Sequence, residues 1–305
     1  MVRSYIFLIL TVIIFSGNLI VGKAINDLPP VTITFFRCLI AFLVVLPFGL
    51  KQVNWNRSLY LNNWKALLGL ALSGITLFNI LIYLALNFTT SINAGIVEAA
   101  TPVFAIILGY IFLKERLTKK QLIGAAISFF GAVWVLTSGS LHVLFSLGIN
   151  IGDFFMVLAI LVWAIYSLLI KQHNHKFPLY GSVLIILGIG VILLIPTMMI
   201  EWMVVGGIPD ALFVQSSWFG LLYLGIFPSF IALVFWTKGV NDIGPSLASV
   251  FLNFLPIFTT IGAVLFLDES VSVAQLFGGV LVIFGVLLVN VNFRQLFKWK
   301  RSNAG

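Results

Sequence analysis

Two ionisable side chains stand inside stretches that are otherwise almost unbroken hydrocarbon: Arg37 within the apolar run 31–50, and Glu98 within the run 91–113. A charge at the centre of a bilayer costs at least about 2.5 kcal/mol, so such residues turn toward a cavity or a partner. Arginine presents a rigid fork of donors suited to a carboxylate or phosphate, and a lone carboxylate holds either a cationic group or a proton. With about 1.5 Å of rise per residue, Arg37 lies roughly 9 Å into its run and Glu98 roughly 10 Å into its own. The two share a depth. Two readings stay open: they line one cavity and bind opposite chemical groups, or they pair with each other and lock two helices together.

Further polar or aromatic candidates lie inside apolar runs: Asn18, Tyr83, Trp163, Tyr166 and Asn253, with Ser16, Asn79, Tyr223, Ser229 and Trp236 as weaker ones. Aromatics with a few polar groups suit a flat or amphipathic solute, although aromatics also form interfacial belts and small polar residues also join helices. Pro102 follows Glu98 by four residues and cannot donate to its carbonyl. Pro256 does the same to Leu252, beside Asn253, and Pro228 bends another run. The freed carbonyls either meet a ligand or are satisfied locally where the helix kinks. Lys23, near a helix end, is read as snorkelling. His142, His173 and His175 lie in loops or at run ends, the single cysteine, Cys38, pairs with nothing, and no metal site is expected.

These residues must be positioned by membrane helices. Of 305 residues, 61% are hydrophobic and 9% charged, far from globular averages. Apolar segments fall at about 4–24, 31–50, 64–87, 91–113, 119–138, 151–171, 179–200, 216–237, 245–267 and 273–292, each of a length to cross the roughly 30 Å hydrocarbon core. They are continuously apolar rather than alternating, which favours helices over a barrel. The first, behind Arg3, lacks a signal-peptide cleavage pattern and is read as a span. Basic residues sort onto alternate connections: 15 of the 17, including Lys51, Arg57, Lys114, Arg116, Lys119, Lys120, Lys171, Lys238 and the tail 294–305, fall on one side. That asymmetry places both termini in the cytoplasm. The net charge of +8 thus reports topology, not a nucleic-acid partner.

The chain also repeats itself. Shifted by 154 residues, 87–135 aligns with 241–289 at about 14 of 49 identical positions, among them Pro102 with Pro256, Glu115 with Glu269, Gly124 with Gly278 and Gly131 with Gly285. At a shift of 148, Lys23 meets Lys171 and Pro30 meets Pro178. The unit is five spans, 1–138 and 150–293. Because five is odd, the second copy enters the membrane inverted, an arrangement common in secondary transporters. Thr118 with Gln121 and Ser272 with Gln275 have capping-box spacing, and Glu115 is placed to favour the positive end of the fifth span. The expected architecture is an all-α integral membrane protein of ten transmembrane helices in two inverted five-helix repeats. Arg37 and Glu98 break the repeat, falling opposite Ile185 and Leu252.

The stretch Thr101-Pro102-Val103-Phe104 through Leu113-Lys114-Glu115-Arg116-Leu117, with Gly124 and Gly131, resembles the EamA family of the drug/metabolite transporter superfamily. Its second copy runs from Leu255-Pro256-Ile257-Phe258 through Leu267-Asp268-Glu269-Ser270, departing from the basic triplet, and Arg37 and the run Trp163-Ala164-Ile165-Tyr166 extend the likeness over the chain. The resemblance implies a ten-helix carrier in the plasma membrane that moves a small metabolite, amino acid or toxic compound, often outward. Its partners would be that small-molecule substrate, membrane lipid and, if Glu98 is the coupling site, a proton. No cofactor is expected, and with no ATP-binding motif present the energy must come from an ion or substrate gradient or from another protein. A channel, an intramembrane enzyme or a flippase-type protein is the rival reading; the enzyme would need a nucleophile and base, or a metal cluster, at membrane depth.

Overall fold

The computed structural model describes residues 2–89, 91–137, 139–140, 142, 150–267 and 272–290. The sequence Asp268-Glu269-Ser270 and the basic tail 294–305 lie outside the described residues, and regular structure among those described is helical. In chain order come α1 (Val2–Ala24), α2 (Pro30–Trp55), α3 (Arg57–Asn62), α4 (Trp64–Leu70), α5 (Phe78–Phe88), α6 (Ser91–Glu98), α7 (Thr101–Leu113) and α8 (Lys119–Leu136). The second half holds α9 (Ile151–His173), α10 (Leu179–Val205), α11 (Gln215–Ile226), α12 (Leu233–Ile243), α13 (Pro245–Ser249), α14 (Leu255–Leu267) and α15 (Val273–Asn290).

Among the described residues, seven helical runs are long and apolar enough to cross a membrane, and three shorter apolar helices accompany them: Thr101–Leu113, Pro245–Ile261 and Val273–Val289. Large apolar side chains such as Leu43, Phe48, Ile111 and Phe130 are exposed, which water would not tolerate on this scale and lipid does. The departure from ten even spans has a cause at proline. Before Pro102 the helix stops at Glu98 and restarts at Thr101, so the expected kink is a break. The Thr101 hydroxyl donates to the Glu98 carbonyl at 2.6 Å, satisfying the acceptor that Pro102 leaves without a donor. Before Pro256 the chain narrows to a 3₁₀ segment, Val250–Phe254, and the Leu255 N–H takes the Leu252 carbonyl. Neither carbonyl is left for a ligand.

Equivalent elements of the two halves contact each other reciprocally. α8 packs along α15, and α2 along α10. On the first pair, a Cβ added to Gly124 would lie 2.8 Å from the Gly285 carbonyl, and one on Gly131 would lie 2.9 Å from the Gly278 carbonyl. Those glycines let two backbones touch, as in small-residue membrane interfaces. α1 packs on α12 and α14, while α9 packs on α5 and α7.

The ends of these helices are tied across the halves as well. Glu201, near the end of α10, accepts from the N–H groups of Val31 and Thr32 at 2.8 Å each and so caps α2. Gln52, near the end of α2, accepts from the Gly181 N–H at 2.9 Å and caps α10. Lys23 does not snorkel: it donates to the Leu86 carbonyl at 2.6 Å, closing the end of α5. Lys171 does the same for the Asn241 carbonyl of α12, also at 2.6 Å. Both capping boxes form, Gln121 N–H reaching Thr118 Oγ1 and Gln275 N–H reaching Ser272 Oγ. Glu115 departs from expectation. Its carboxylate accepts from the Ser246 hydroxyl on α13 instead of serving α8, whose own capping box already occupies its N-terminus.

Candidate functional site

Two spans contain a wide helical turn that the sequence period did not reveal. Between α4 and α5 the segment Ala71–Leu77 is π-helical, and between α11 and α12 so is Phe227–Ala232, its near equivalent at the 154-residue shift. Such turns leave carbonyls poorly served and concentrate at functional sites. In the first, Asn79 Nδ2 donates to the Ile75 carbonyl at 2.8 Å. In the second, Pro228 cannot donate to the Leu224 carbonyl, and the Ser229 hydroxyl does so at 2.7 Å. The oxygen of Ser229 is then free to accept.

Arg37 uses it. Its Nε donates to Ser229 Oγ at 2.7 Å, and its Nη1 donates to Asn18 Oδ1 at 3.0 Å and to the Tyr83 hydroxyl. Tyr83 in turn donates to Asn18 Oδ1 at 3.1 Å, and the guanidinium carbon lies 5.5 Å from the Tyr83 ring centroid, a cation–π contact. The guanidinium, 3% exposed, is thus fixed by neutral groups from α1, α5 and the second π segment.

Beside it is a cavity of about 20 Å³, room for one water molecule. Asn18, Arg37, Cys38 and Glu98 line it with Phe15 and Trp163, and both π segments reach it through Gly74, Ile75, Pro228 and Ser229. Glu98, 8% exposed, comes from the end of α6, and its Oε2 is buried with no hydrogen-bond partner. Arg37 and Glu98 therefore face one space without the mutual ion pair that was one of the two readings. The aromatic wall is a packed cluster in which Trp163 meets Phe78 at 4.4 Å between centroids, Tyr166 at 5.1 Å and Trp236 at 5.3 Å.

Of the residues singled out in the sequence, Asn18, Arg37, Glu98, Trp163 and Pro228 line the cavity, and Tyr83 braces it through Arg37. Tyr166 stands behind the wall, its ring against Gly74 of the first π segment. Asn253 is elsewhere: its Nδ2 donates to Ser128 of α8 at 3.0 Å, in the interface between the halves. Pro102 is buried beside Val103 and Phe129, away from the central cavity, and Pro256 shapes α14 without lining that cavity. Ser229 and Asn79, two of the weaker candidates, belong to the centre, as do Cys38 and Gly74. The adjacent Pro228 was the available signal for Ser229.

Comparison with known proteins then settles kinship. A profile described as the EamA-like transporter family matches residues 2–137 and 150–291, one copy on each half. The chain belongs to the EamA-like transporter family. An uncharacterized transporter from Archaeoglobus fulgidus is 30% identical to this EamA-like chain over 96% of it and 99% of the relative. The uncharacterized transporter YyaM of Bacillus subtilis is 30% identical over 72% of this chain and 70% of its own length. A crystal structure of a protein 18% identical superposes with a TM-score of 0.73, covering 94% of this chain and 95% of that one, so the fold is shared.

Proposed function

We propose that the protein is a secondary-active carrier of a small solute, working by alternating access as ten spans in two inverted repeats, with both termini in the cytoplasm of a plasma-membrane protein and outward transport as its direction. The observation that carries the reading is the cavity between the halves, where a fixed guanidinium faces a carboxylate with one buried oxygen left without a hydrogen bond. Arg37 receives an anionic group. Glu98 holds either a cationic group of the solute or the coupling proton. Reciprocal packing supports inversion: Gly124 against Gly285 and Gly131 against Gly278 is the pattern of a two-fold axis, in which residue i of one copy meets j of the other and j meets i. Two copies related in this way can exchange conformations, exposing the site to each side in turn.

A growth screen of deletion and overexpression strains against amino acids and toxic analogues identifies the solute, and counterflow in proteoliposomes then tests the carrier. Saturable uptake stimulated by solute on the far side is expected. Flux without saturation or trans-stimulation indicates a channel instead. Glu98→Gln separates the roles of the carboxylate: a coupling proton requires that the variant lose the pH response of net transport while retaining exchange.

A further inference from the structure

An apolar groove lies on the outer surface, apart from the central cavity. α7 leaves its last turn through Lys114, whose φ of 56° reverses the chain, and the Glu115 carboxylate is drawn across to Ser246. The irregular residues that follow carry α8 away to pack on α15, while α7 packs on α9 and α13. Two helices adjacent in sequence are thereby held apart. The gap is a groove of about 820 Å³ near the turn, continuing into one of about 260 Å³, with Ile106, Ile107 and Leu122 common to both. Its walls are apolar, including Val103, Tyr110, Ala126 and Phe130, and its inner end reaches Ala99, next to Glu98.

The mouth has the opposite chemistry. Lys114, Arg116 and Lys119 are exposed on the connection from α7 into the start of α8; Arg116 lines the groove, and so does Glu115, whose carboxylate accepts from Ser246. From Lys119 to Phe130 the helix rises about 16 Å, half of a roughly 30 Å hydrocarbon core. A slot one leaflet deep, apolar along its length and cationic at its rim, matches an acyl chain below a phosphate. We propose that the groove between α7 and α8 seats one phospholipid with an anionic headgroup, its chain against Ile107 and Leu122 and its phosphate at Arg116 and Lys119. Basic pockets between membrane helices select such headgroups. At the 154-residue shift the second half reads Asp268-Glu269-Ser270 where the first reads Lys114-Glu115-Arg116, so the sequence carries the basic triplet in one half alone. The site requires membrane embedding and does not depend on transport.

Native mass spectrometry of the purified full-length protein, titrated separately with phosphatidylglycerol and phosphatidylcholine, tests this. One phosphatidylglycerol should be retained with about tenfold preference. The double variant Arg116→Gln, Lys119→Gln should reduce that preference toward unity, and Ala126→Trp, which fills the slot and leaves the charges, should reduce retention of both lipids. These positions are on the surface, and an unchanged melting profile in detergent separates loss of the site from loss of fold. Equal retention of the two lipids by the unaltered protein overturns the proposal. So does phosphatidylglycerol binding that survives both variants, or displacement of the lipid by inorganic phosphate alone.

Discussion

Arg37 is held before any solute arrives, and its supports are separable. Tyr83→Phe keeps the ring over the guanidinium and removes the hydroxyl that joins Arg37 to Asn18. The expected outcome is a roughly tenfold weaker half-saturation in counterflow with a nearly unchanged maximum rate, equivalent to about 1.4 kcal/mol and in the range of one hydrogen bond to a charge. Arg37→Lys removes the fork itself and should cost more, because a point charge cannot reach Ser229 and Asn18 at once. Arg37 and Glu98 were legible in the sequence because a charge in hydrocarbon must have a reason. Asn253 was legible only as buried and polar, and its amide serves Ser128 across an interface that no local pattern encodes. Lys23 was read as snorkelling and Glu115 as serving the helix that follows it, whereas their hydrogen-bond partners lie in α5 and α13.

Helix ends and helix faces carry the next set of outcomes. Gly285→Ala would place a methyl 2.6 Å from the Gly124 carbonyl, a backbone atom that cannot step aside, so α8 and α15 should separate. A cost of about 1–3 kcal/mol is expected, read as a lower melting temperature in detergent. Gly95→Ala is the control, since its methyl meets only the flexible Leu136 side chain at 3.3 Å. Glu201→Ala strips two N–H caps from α2 and should destabilise by about 1–3 kcal/mol. The apolar, helical character of the runs and the capping boxes were readable, because each depends on local composition or on spacing. The breaks at Glu98 and Ser249 were readable as prolines but not as breaks. The π segments were not readable at all, since one extra residue in a turn leaves a uniformly apolar sequence looking the same.

For the molecule as a whole, Cys38 is a natural reporter: it is the only cysteine, it is buried, and it lines the central cavity. A carrier that opens to each side in turn should admit a membrane-impermeant thiol reagent to Cys38 from either face, with solute slowing the reaction from both. Labelling from one face only would contradict alternating access. The paired π segments have a further consequence for such motion. An extra residue is a phase offset: the half-helix beyond it is turned by about 100° relative to an unbroken α-helix. α5 and α12 therefore present Tyr83 and Trp236 to the centre on a register that their opposite ends do not share. Deleting Phe230 would restore the ordinary pitch, leave hydropathy almost unchanged and rotate Trp236 away from Trp163. Such a protein should still insert into the membrane and carry nothing, its two half-spans geared one tooth out of step.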